Sequence, residues 1–167
     1  MTVQFAAEQV SSLRGIRNWF MQNFNSYWIK GILEAQTIAL PVGDGRTSFI
    51  DARDIAASAA VLLDSDAFDN QTFVLTGAEA LTHAEVAATL SKVIGKTIAF
   101  RDITPEQSLA QLLAAGLPPA YAEFLNTILA YVKLGYVEAA TDAVARITGR
   151  APISFGQYAH DYRQAWS

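Results

Sequence analysis

Ten residues, Thr47 to Ala56, constrain the fold more than any others, because a short apolar strand at Phe49 and Ile50 runs directly into an amphipathic helix. Asp51 can accept from the free amides of the next turn, and Asp54 sets a second carboxylate at the positive helix end. A helix therefore starts here. Ile55, Ala59, Leu62 and Leu63 follow at i, i+4, i+7 and i+8, an apolar stripe that needs a sheet or a second helix to cover it. Both aspartates read as caps ahead of ligand groups, since nothing else polar converges on them in the sequence.

Composition narrows the functional classes. The 167 residues suit one domain with a real core, and 51% hydrophobic against 17% charged leaves a surplus that a ligand surface or subunit interface would absorb. A net charge of −4 with scattered basic residues argues against a nucleic-acid partner. Zero cysteines exclude disulfides and a thiol nucleophile, and two separated histidines, His83 and His160, make a metal site a poor expectation. No run is long and apolar enough for a membrane helix, and no basic-then-apolar leader opens the chain, so a cytoplasmic location is expected.

Along the chain, Met1 to Val10 reads as a short helix reaching Leu13 and stopping at Gly15. Ile16 to Leu33 reads as a second helix, unusually aromatic, with Phe20, Phe24, Tyr27 and Gly31 at helical spacing and Trp19 and Trp28 flanking them. Core packing accounts for such aromatics more readily than a ligand wall. Ile38 to Val42 and Thr47 to Ile50 flank Gly43-Asp44-Gly45-Arg46, which predicts a hairpin. A strand follows that loop where a phosphate loop would need a helix. Asp64 to Asn70 lacks the glycine and glutamate of a calcium loop.

Thr72 to Leu75 is expected as a strand. Thr82, Glu85 and the Leu81–Val86 pair then give a capping box and hydrophobic staple for a helix burying Val86, Leu90, Val93 and Ile94 and ending at Gly95. His83, in its first turn, is expected to be exposed. Ile98 to Ile103 reads as an edge strand, and Thr104, Pro105 and Gln107 start a further helix. After Pro118-Pro119 a long helix carries Tyr121, Leu125, Ile128 and Val132 on one stripe, with Phe124 and Tyr131 beside it. Thr141 to Ile147 is a short helix closed near Gly149, and Ser154 with Gln157 caps a last one burying Phe155, Tyr158, Tyr162 and Trp166.

Several stretches resemble the NmrA-like, atypical branch of the short-chain dehydrogenases, and within it the festuclavine-dehydrogenase-like NAD(P)-dependent oxidoreductases. The resemblance rests on Trp19-Phe20-Met21-Gln22-Asn23-Phe24, Pro41-Val42-Gly43-Asp44-Gly45-Arg46, Phe49 to Ala56, Leu75-Thr76-Gly77-Ala78-Glu79-Ala80-Leu81-Thr82 and Thr148 to Phe155. Only the C-terminal half of the family pattern is matched. The glycine-rich strand–turn–helix that seats the cofactor pyrophosphate has no counterpart here, and neither Tyr27 with Lys30 nor Tyr131 with Lys133 has the Tyr-x-x-x-Lys spacing.

The resemblance implies an α+β, helix-rich fold, the remnant of a Rossmann-type α/β fold whose small sheet is covered by helices and whose N-terminal nucleotide-binding half is missing. Residues 1–64 would end the Rossmann-like half and 65–167 form a helical substrate-binding lobe of one domain. By the same resemblance Arg17 and Asn18 fall on the nicotinamide side, as vestiges of a cofactor site. Trp19, Phe20 and Asn23 face the substrate cleft, with Tyr121 as a further cleft candidate. The family's Leu-Arg-Pro strand end is replaced by Leu13-Arg14-Gly15, which leaves the register there open. No residue stands out as catalytic.

Sheet edges left uncovered imply a homodimer or a partner chain. The expected function is a non-catalytic small-molecule-binding domain for an apolar ligand. The alternatives are an NAD(P)-dependent hydride-transfer enzyme completed by another chain and a regulatory protein-interaction module.

Overall fold

The computed structural model describes residues 19–166, so the helix expected over Met1 to Val10, Arg17 and Asn18 lie outside the described residues. Seven α-helices and four short strands are described: α1 (Ile29–Ala35), β1 (Thr37–Leu40), β2 (Arg46–Thr47), α2 (Ala52–Asp64), β3 (Leu81–Thr82), α3 (His83–Ile94), β4 (Ala99–Asp102), α4 (Pro105–Ala114), α5 (Pro119–Lys133), α6 (Ala143–Thr148) and α7 (Phe155–Asp161). The fold is helix-rich with little sheet, as expected. Among the described residues no helix is long and apolar enough to cross a membrane.

The expected hairpin does not form. β1 pairs in parallel with β4, Thr37 opposite Ala99, while β2 pairs antiparallel with β3, Arg46 opposite Thr82. The intervening loop turns where Gly45 N–H donates to the Val42 carbonyl at 3.0 Å and Gly43 takes φ +52°. A β-carbon on Gly45 would run into the Val132 carbonyl at the end of α5, so the glycine allows the loop to pass that helix. A turn-rich loop between two apolar runs carries a local hairpin signal, but which strand each run joins is decided by partners far along the chain.

The single helix expected from Ile16 to Leu33 is also broken. Met21–Asn25 form a 3₁₀ turn, Ser26 leaves helical geometry at φ −133°, and only Ile29–Ala35 make an α-helix. Before the 3₁₀ turn the backbone is extended, with Met21 N–H donating to the Ile50 carbonyl at 2.9 Å and Ile50 N–H to the Trp19 carbonyl at 3.1 Å. This parallel bridge spends on another segment the amides a helix would have used. The expected strand at Thr72 to Leu75 is not a regular strand. It is held by the Thr141 hydroxyl, which donates to the Val74 carbonyl at 2.6 Å, and by Gly77 N–H, which donates to the Ser48 carbonyl at 3.3 Å.

The helix starts were legible. Thr82 with Glu85 and Thr104 with Gln107 each form a complete capping box, Asp51 caps α2, Ser154 caps α7, and Gly95 ends α3 in the left-handed conformation. The buried faces differ in detail. α2 buries Asp54, Ser58 and Leu62, with Leu63 exposed, and α5 buries Ala122, Leu129 and Val132, with Tyr121 and Phe124 outside. The main core joins Met21, Phe24, Ile38, Phe49, Val86, Leu90, Phe155, Tyr158 and Trp166. A second cluster gathers Ile50, Leu62, Phe73, Leu75, Val144 and Ile147 between α2 and α6.

Candidate functional site

The residues expected at the ligand cleft sit where the extended Trp19–Phe20 segment ends beside Ile50. Trp19 is half-buried and its indole lies 5.7 Å from that of Trp28. Phe20, also half-buried, packs on the second hydrophobic cluster. Asn23 closes the corner through its backbone, its carbonyl accepting from Trp28 N–H at 2.9 Å and from Ser26 N–H at 3.4 Å. The structure thus gathers Trp19, Phe20 and Asn23 at one corner. Tyr121 lies on α5, exposed, stacked on Phe124 of its own helix with centroids 6.3 Å apart.

A polar clamp that the sequence did not reveal fixes this corner. Gln22 Nε2 donates to Asp51 Oδ1 at 3.1 Å, and its Oε1 accepts from Ala52 N–H at 3.0 Å, so one amide joins the 3₁₀ turn to the start of α2. Asp51 also takes Arg53 N–H at 2.8 Å and the Arg53 guanidinium through Nε and Nη2, while Arg53 Nη1 reaches Asp161 at 2.7 Å. Burial alone would raise the Asp51 carboxyl, but the bonds from Arg53 and Gln22 outweigh it and hold the group below its usual value. The bonds to Asp51 push the Arg53 guanidinium further up. Gln22 lies inside a quoted motif, yet its partner is 29 residues away and nothing local points to it.

Asp54 is more than a cap. Fully buried, it accepts from Ile153 N–H at 2.7 Å and sits 2.7 Å from Arg150 Nη1, an ion pair whose angle is not that of a hydrogen bond. Both aspartates of the strand-to-helix stretch are thereby committed to binding the chain to itself.

His83 is a correction. It is 1% exposed, not at the surface, and is ringed by Phe24, Trp28, Phe49 and Phe100 with centroids 5.3–6.3 Å away. Neither ring nitrogen has a hydrogen-bond partner, and burial pushes its pKa down to about 4. Its place in the first turn was read as surface because capping boxes usually are. Here the rings of Phe24 in the 3₁₀ turn, Trp28 capping α1, Phe100 of β4 and Phe49 close over it.

A dinucleotide pyrophosphate needs free backbone amides at a helix N-terminus. The Gly43–Gly45 loop and the starts of α2, α3 and α4 do not fit one. In the Gly43–Gly45 loop, Gly43 N–H already donates to Asp102 Oδ1 at 2.9 Å, Gly45 N–H is used in the turn, and β2 follows where a helix would be needed. The first turns of α2, α3 and α4 carry Asp54, Glu85 and Glu106, the wrong charge for phosphate.

Comparison with known proteins agrees with this architecture. The chain is 36% identical over 148 residues to the NAD(P)H azoreductase of Xenophilus azovorans, covering 89% of this chain and 51% of that protein. It is 34% identical over 155 residues to festuclavine synthase II of Penicillium roqueforti, covering 89% and 53%. The chain therefore spans about half the length of the curated relatives it matches. Its fold is similar to that of an NADPH-dependent quinone oxidoreductase from Escherichia coli, with a TM-score of 0.78 at 21% identity over 87% of this chain and 52% of the other. The triphenylmethane reductase of Citrobacter sp., solved with NADP(H), gives the same TM-score and identity over 87% of this chain and 51% of its own. The model of the NmrA-like family matches residues 14–147, most of the length, and the chain belongs to that family.

Proposed function

We propose that this chain is a small-molecule-binding unit of the NAD(P)-linked oxidoreductase type, taking an apolar, aromatic ligand against Trp19 and Phe20. The observation that carries it is the corner itself: two half-buried aromatic side chains held by a Gln22–Asp51–Arg53 clamp, centred on the buried Asp51, at the end of a bridged strand. Such a corner is rigid and leaves part of each ring exposed, Trp19 beside the main core and Phe20 beside the second cluster, which suits a flat ligand with few charges. The names of the relatives, an azoreductase and a festuclavine synthase, and the triphenylmethane reductase among the structural neighbours support the same ligand class.

The two aspartates of the strand-to-helix stretch contribute architecture. Asp51 is bonded to Arg53 and Gln22, Asp54 is ion-paired with Arg150 and bonded to Ile153, and all three of Asp51, Asp54 and the ring-enclosed His83 are buried away from a ligand in the solvent. Because the Gly43–Gly45 loop and the starts of α2, α3 and α4 do not fit a pyrophosphate, a dinucleotide would be held away from them, by another part of the protein or by a partner chain. In the complete reductase the cofactor would supply the hydride and this unit would orient the acceptor.

The test is a fluorescence titration of the purified chain with an azo dye and a triphenylmethane dye, beside calorimetry with NADPH and NADH. Saturable dye binding that Trp19→Ala weakens roughly ten-fold or more, with no cofactor heat, is the expected result. Dye-dependent oxidation of NADPH by the chain alone would replace this reading with that of a self-sufficient reductase. Dye binding indifferent to Trp19→Ala would remove the ligand from this corner.

A further inference from the structure

We infer that the outer face of α5 is a two-fold interface at which a second copy of this chain docks, helix against antiparallel helix. Tyr121, Phe124, Ile128 and Tyr131 recur at i, i+3, i+7 and i+10, and Leu134 continues the row. Tyr121 is 45% exposed, Phe124 55% and Tyr131 48%, while the opposite side of the helix buries Ala122, Leu129 and Val132. Ala120, Thr127 and Ala130 fill out the outer face, and Glu123, one turn before Thr127, sets a single exposed carboxylate at its rim. Tyr136, 69% exposed, extends the patch by resting its ring edge-on against Tyr131 at 5.7 Å. Helix α4 does not cover this face, since it reaches α5 from another side, where Asn126 Nδ2 donates to the Pro105 carbonyl.

Area and symmetry select the occupant. At 150–250 Å² per aromatic side chain, four such rings about half exposed, with Leu134 and Ile128, present roughly 400–500 Å² of contiguous apolar surface. This is near the upper end for a monomer and close to the apolar share of the ~800 Å² that each partner of a stable dimer buries. The row is also nearly palindromic about Thr127 and Ile128. Two antiparallel copies set Phe124 opposite Tyr131 and Tyr121 opposite Leu134, with Ile128 near the axis, so one patch serves both sides as a two-fold interface requires. A face whose one adjoining charge is the Glu123 carboxylate gives no purchase to a nucleic acid or an anionic surface. The inference is independent of what binds at the Trp19 corner.

The natural absence of cysteine makes the test clean. Sedimentation velocity over a roughly hundred-fold concentration range should show the chain associating to twice its 18.1 kDa mass. Phe124→Glu, at an exposed position, should keep the circular dichroism of the parent and raise the dimer dissociation constant roughly thirty-fold or more. Ile128→Cys should cross-link to itself under mild oxidation, because side chains beside a two-fold axis come within disulfide reach, whereas Tyr27→Cys, exposed on another element, should not. A chain monomeric throughout the range overturns the inference. A dimer unmoved by Phe124→Glu and not cross-linked at Ile128 overturns it as well, and assigns the contact to another surface.

Discussion

At the scale of single residues, His83 shows how a position can be right in sequence and wrong in environment. The capping box of Thr82 and Glu85 set the helix start correctly, but the first residue inside it turns into the aromatic core. No periodicity signals this, because the rings that enclose His83 come from the 3₁₀ turn, the cap of α1, β4 and the segment before α2. The enclosure has a pH consequence. The native imidazole stays neutral down to about 4, whereas in the unfolded chain it protonates near 6.5. Its contribution is therefore intact above pH 6.5 and drains away as pH falls towards 4, by about 3 kcal/mol in all at ~1.4 kcal/mol per unit. Asp51 acts in a lower window, since its depressed carboxyl loses its contribution only below its ordinary value of 3.8. Denaturant unfolding at a series of pH values should show that His83→Phe flattens the decline between pH 6.5 and 4 and leaves the fall below pH 4 in place.

At the scale of elements, caps were legible and partners were not. Ser154 and Thr104 find their bonding partners within three residues, so a short window of sequence contains the whole interaction. β1 and β2 find theirs in β4 and β3, and the expected hairpin failed for that reason. Of the candidate site, the aromatic residues were visible as a motif, while Gln22, which fixes them, was not. Asp54 belongs to the same class of long-range ties, joining α2 to the backbone that leads into α7. Asp54→Asn should lower stability by about 2–4 kcal/mol, because it strips the ion pair from Arg150 and turns an acceptor of the Ile153 amide into a group that can present a donor there. Urea unfolding of this variant beside Arg150→Ala separates the two losses, the second being the smaller because Arg150 is partly in solvent. Where the extended stretch ending at Gly77 passes the Phe49 segment the tolerance is lower still. A β-carbon on Gly77 would collide with the Phe49 carbonyl, so Gly77→Ala should cost about 2–4 kcal/mol, read as a drop in thermal midpoint.

For the whole molecule, the hydrophobic surplus noted in the sequence divides between two places. Part of it is core, in which Trp166, Tyr158, Phe24, Phe49 and Phe155 are all buried, and part is the outer stripe of α5. Composition could register the excess but not apportion it, because a helix with aromatics on adjoining faces has the same residue counts whichever face turns inward. If α5 pairs two copies, the thermal midpoint should rise with protein concentration, and Phe124→Glu should abolish that dependence. The aromatic corner has a different bearing on the molecule's history. Its 3₁₀ turn is completed by the Trp166 indole, which donates to the Phe24 carbonyl at 2.9 Å across 142 residues of sequence, and β1 waits for β4 before it has a strand partner. During synthesis these segments leave the ribosome long before the residues that satisfy them, so the corner stays an open apolar surface while the 142 residues up to Trp166 are made, the state that chaperones recognise and in which non-native strand pairing begins.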